Sequence, residues 1–170
     1  MRTLWKAFVP VAVVALAVAA VANAGVAKKP KPKPKPKSAA VAFVGTYSGT
    51  GSTLVNGSTV TITAKGNGNG TVIGASTISA SGTGDSSQQP CVPFGGTGTI
   101  TGPGGVINFK AVSGATACGD DGGHNFTVKV MLGVTSATGK LAKKTGVLRG
   151  IGTYSRDDGT WQLKVTGPLK

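Results

Sequence analysis

The chain has 170 residues, 18 Lys+Arg against 5 Asp+Glu, and a formal net charge of +13. All five acids are aspartates, and 28 residues are glycine, which disfavours helices and favours strands joined by tight turns. One histidine and two cysteines cannot furnish a zinc site, and 5% aromatic residues are too few for a surface that stacks nucleic-acid bases.

Residues 1–24 read as a signal peptide. Arg2 and Lys6 form a positive start, Ala7 to Ala22 is an uncharged Ala/Val-rich run, and Ala22-Asn23-Ala24 is a small-x-small cleavage site. A retained anchor is the competing reading, but a spanning helix needs about 20 strongly apolar residues. This run is shorter, rich in alanine and broken at Pro10. Residues 25–38 read as a tether. From Lys28 to Lys37 lysine alternates with proline, which removes backbone donors and forces extended geometry. Such a segment adopts polyproline II, rising about 3.1 Å per residue. Its expected partners are anionic envelope polymers or lipid head groups, with attraction that salt screens. Ten of the basic residues follow this tether, so the remaining chain is only mildly basic.

Residues 39–170 read as one all-β domain. Val60 and Ile62 alternate with threonines; Ile107, Phe109 and Ala111 alternate with Asn108 and Lys110. The same period of two runs through Phe126, Val128, Val130 and Leu132, and through Trp161, Leu163 and Val165. Further strands are expected at 41–50, 71–80, 96–101 and 147–156. Turns are expected at Asn56-Gly57, Asn67-Gly68-Asn69-Gly70, Gly102-Pro103-Gly104-Gly105 and Asp157-Asp158-Gly159. A short helical turn is expected near 138–145. About eight strands in a single antiparallel meander must close, or nearly close, into a barrel to hide their edges.

Cys91 and Cys118, in an exported chain, are expected to form one disulfide between turn-rich stretches. Asp120, Asp121 and His124 lie within five positions and are weak polar candidates for acid/base chemistry. Without glutamate or a second histidine they make no metal site, and no cofactor motif is present. A polar turn pinned by the disulfide accounts for them as well.

Thr138-Gly139-Lys140-Leu141, followed by Gly146 and a strand from Val147, resembles a glycine-rich segment of the dirigent and allene oxide cyclase-like β-barrels. Ser136-Ala137 and Lys144 depart from that pattern. The resemblance implies an eight-stranded antiparallel barrel and carries no catalytic residues with it. Two functions are compatible with these residues. One is a secreted or envelope-associated, non-enzymatic structural or adhesive domain, which no polar triad contradicts. The other is a barrel binding a small apolar ligand, or a cyclase-like barrel, with a pocket lined by Phe109, Phe126, Tyr154 and Trp161. An internal cavity separates the two: a barrel filled by side chains fits the first, an open one the second.

Overall fold

Alternating apolar and small polar residues build nine strands in a computed structural model that describes residues 39–112 and 114–170. The segments expected to be a signal peptide and a Lys28–Lys37 tether lie outside the described residues. The strands are β1 (Val41–Asn56), β2 (Thr59–Gly70), β3 (Gly74–Asp85), β4 (Cys91–Gly102), β5 (Gly105–Ala111), β6 (Thr116–Gly119), β7 (Asn125–Ala137), β8 (Val147–Ser155) and β9 (Thr160–Leu169). Every pairing is antiparallel between neighbours in the meander, and β9 closes onto β1. β5 and β6 share one lane of the wall. β5 pairs with Thr97–Gly102 of β4, β6 pairs with Cys91–Pro93, and both face β7. The result is a closed barrel of eight lanes, which leaves no long sheet edge to seek a partner.

Side chains obey the expected parity. In β2 the outward positions are Thr59, Thr61, Thr63, Lys65, Asn67 and Asn69, while Val60, Ile62, Ala64, Gly66, Gly68 and Gly70 turn inward. An apolar inside and a polar outside is the reverse of a membrane-spanning β-barrel.

Four local expectations are corrected. Asn67-Gly68-Asn69-Gly70 is not a turn. It continues β2, paired residue by residue with Gly45–Ser48 of β1, and the chain reverses at Thr71–Ile73 instead. The two glycines suit this strand because inward Cβ atoms there would strike the neighbouring wall: a methyl at Gly68 would lie 2.6 Å from Tyr47 Cδ1. The cysteines are not in turns but in β4 and β6, directly opposite each other. The helical turn shrinks to a 3-10 turn at Gly139–Leu141, because β7 runs on to Ala137. The first hairpin turns at Gly57-Ser58, one residue later than expected, with Gly57 taking the positive φ (60°) that this tight loop demands.

The two ends of the barrel differ. At one end lie the start of β1, the turns at 71–73 and 103–104, the 138–146 loop and the end of β9. Phe43, Tyr47, Ile73, Ile100, Ile107, Leu148, Val165 and Leu169 fill this half, all under 2% exposed. Leu141, 1% exposed, caps it from the 3-10 turn. The Tyr47 hydroxyl ends 3.4 Å from Ser76 Oγ, which donates to Gly74 O, and burial raises the Tyr47 pKa.

Candidate functional site

The other half of the barrel is open. A cavity of about 420 Å³ runs from the mid-barrel to the end formed by the turns at 57–58, 86–90, 120–124 and 156–159. Its cause is an imbalance in side-chain size around the ring. The β2–β4 side, with the adjoining end of β1, presents Gly51, Ala64, Ala80, Gly82 and Gly96 among Val60, Ile62, Ile78, Val92 and Phe94; the β5–β9 side presents mostly larger groups, Phe109, Phe126, Val128, Val130, Tyr154, Trp161 and Leu163, beside Ala111 and Ala117. The small residues are aligned, since Gly51 pairs with Ala64 and Ala64 with Ala80. Trp161 and Phe109 reach glycines of the neighbouring wall, but Ala64, Ala80, Gly82 and Gly96 carry too little side chain to fill the space beyond, so the middle stays open.

The aromatic wall is a ladder. Phe126 lies opposite Tyr154, and Tyr154 opposite Trp161, on three consecutive strands. The Phe126 and Tyr154 rings are tilted by 42° with centroids 6.2 Å apart, a range favourable for aromatic pairs. Trp161 leans on the glycines of β1 and β2: a methyl at Gly66 would sit 2.6 Å from its Cζ2, and one at Gly51 would sit 3.6 Å from its Cδ1. Among the described residues its Nε1 is the buried side-chain donor without a hydrogen-bond partner. Val55, Gln89 and Arg156, all exposed, line the outer part of the cavity.

The rim carries the polar candidates. Asp120 is a staple of the 120–124 loop. It accepts from His124 N at 2.9 Å, Asn125 N at 3.2 Å and Asn125 Nδ2 at 3.0 Å, and these bonds hold its pKa below the usual carboxylate value. Asp121 is exposed on the same loop. His124 turns to a partner the sequence reading missed: its Nδ1 lies 2.8 Å from Asp157 Oδ1, across to the β8–β9 turn. That contact raises the His124 pKa. A second tie joins the two loops where Arg156 N donates to His124 O at 2.8 Å. Both members of the ion pair are well exposed, at 62% and 66%, and neither lines the cavity. Thus Asp120, Asp121 and His124 do not converge on a reacting position. Among the described residues no three His, Cys, Asp or Glu side chains come together to hold a metal ion.

Phe109, Phe126, Tyr154 and Trp161 all line the cavity, joined by Phe94, which the sequence reading did not single out. Cys91 and Cys118 are bonded at the mouth end, and Gly119 N donates to Pro90 O at 2.8 Å beside them. A disulfide of this kind fits an oxidising, extracytoplasmic compartment. Fold and site together define a closed, antiparallel, up-and-down barrel with an apolar internal cavity open at one end. No family, curated protein or solved structure matches the chain.

Proposed function

We propose that this is an extracytoplasmic binding protein for a small apolar molecule, which it holds inside the barrel. The observation that carries this reading is the cavity of about 420 Å³, within the size range of small-molecule sites and lined mainly by aromatic and aliphatic groups. It favours the ligand-binding alternative over a purely structural or adhesive domain. Binding rather than turnover is supported by the placement of His124 and Asp157 outside the cavity lining. The Lys28–Lys37 segment would hold the protein near anionic envelope material, so that deleting it lowers retention there at low salt.

Calorimetric titration of the full chain with decanol tests the binding function. The expected result is saturable one-to-one binding, weakened at least about tenfold, or about 1.4 kcal/mol, by Ala80→Phe or Ala64→Leu. These substitutions grow inward from the small wall and take up cavity space while leaving the residues of the aromatic ladder unchanged. Binding that is absent, or equal in both filled variants, would remove the proposal.

A further inference from the structure

We infer that the preferred ligand is an amphipathic organic cation: an apolar body bearing a protonated amine or quaternary ammonium. This rests on the cavity being a ligand site and adds the charge of its occupant. The observation behind it is an axial separation of charge. All five aspartates stand around the open end: Asp85 at the end of β3, Asp120 and Asp121 on the β6–β7 loop, and Asp157 and Asp158 on the β8–β9 turn. Among the described residues, Arg156 and His124 are the cations that oppose them there. The other cations of the described residues lie elsewhere. Lys140, Lys143, Lys144 and Lys170 are at the closed end, and Lys65, Lys110, Lys129, Arg149 and Lys164 are on the outer wall.

Three of the aspartates have local work as turn staples. Asp85 accepts from Ser87 N and Oγ, Asp158 from Thr160 N and Oγ1, and Asp120 from the Asn125 groups. Asparagine or serine would staple such turns without adding charge. Whatever their local role, the five charges add to one field, and low-dielectric walls focus that field into the cavity mouth. Inside, the cavity lining holds no carboxylate. What it offers a cation is the ladder of Phe126, Tyr154 and Trp161, whose ring faces attract ammonium groups. An anionic head group would meet one guanidinium, Arg156, within a ring of carboxylates.

The test uses three ligands with the same decyl body: decyltrimethylammonium, decanol and decanoate. Each is titrated into the full chain below its micelle concentration, with Ala80→Phe as the blocked control that subtracts binding outside the cavity. At low salt the cation is expected to bind at least about tenfold tighter than decanoate. The gap should narrow at high salt and widen in Arg156→Gln, a change at an exposed position on the cavity's outer part. Decanoate binding as tightly as the cation, and weakening in Arg156→Gln, would overturn the charge preference while decanol binding left the cavity site standing. Failure of all three to bind would overturn both.

Discussion

Val72 carries a cost that no neighbour requires. It sits in the β2–β3 turn with φ of 71°, a left-handed conformation that crowds a β-branched residue. Glycine adopts this φ freely, so Val72→Gly is expected to stabilise the barrel by about 0.5–1 kcal/mol, after the entropy cost of glycine, in chemical denaturation. A second residue-scale outcome concerns His124. Its pKa is raised chiefly by the hydrogen bond to Asp157 and then by that charge. A raised histidine pKa favours folding at pH below the unfolded value, and the contribution fades as pH rises through the folded value. The His124 ring signals in NMR are therefore expected to titrate above the usual histidine midpoint. They should move down toward it in Asp157→Asn; an unchanged midpoint would show that the tie across the mouth does not persist in solution. Asp157 was masked in the sequence by its place in an Asp-Asp-Gly turn, which needs no partner to explain it.

Elements divide the barrel into a plugged half and an open half. The plug is the 3-10 turn, which sets Leu141 against the core with Ile107, Leu148 and Leu169. Leu141→Ala leaves a void with little freedom to collapse and is expected to cost about 2–5 kcal/mol in thermal or denaturant unfolding. A loss below about 0.5 kcal/mol would mean that the loop does not close that end, since surface changes stay within that range. The strands themselves were readable because their period of two is strong: Phe126–Leu132 and Trp161–Val165 turn the same faces inward as their patterns require. Asn67–Gly70 was misread because Asn-Gly pairs suit turns locally. Here cross-strand packing wins, for Gly68 must pass beneath the Tyr47 ring. The interruption between β5 and β6 has no such signal, since it depends on β4 and β7 to hold both pieces in one lane.

At the scale of the whole molecule, function follows from how side-chain volume is shared around a closed ring. The aromatic half of the cavity was visible in the sequence as inward-facing Phe109, Phe126, Tyr154 and Trp161. The cavity itself was not, because it depends on which strands face each other across the barrel. Gly51, Ala64 and Ala80 read as ordinary weak strand residues until closure sets them opposite large rings. The gathering of all five aspartates at the mouth was hidden for the same reason, as they come from three separate loops. The most direct measurement is a crystal structure of the protein soaked with a bromine-tagged decanol. The expected result is an anomalous bromine peak inside the barrel, between Trp161 and Ala80. Bromine found only on the outer wall, or an interior closed by side chains, would contradict the account.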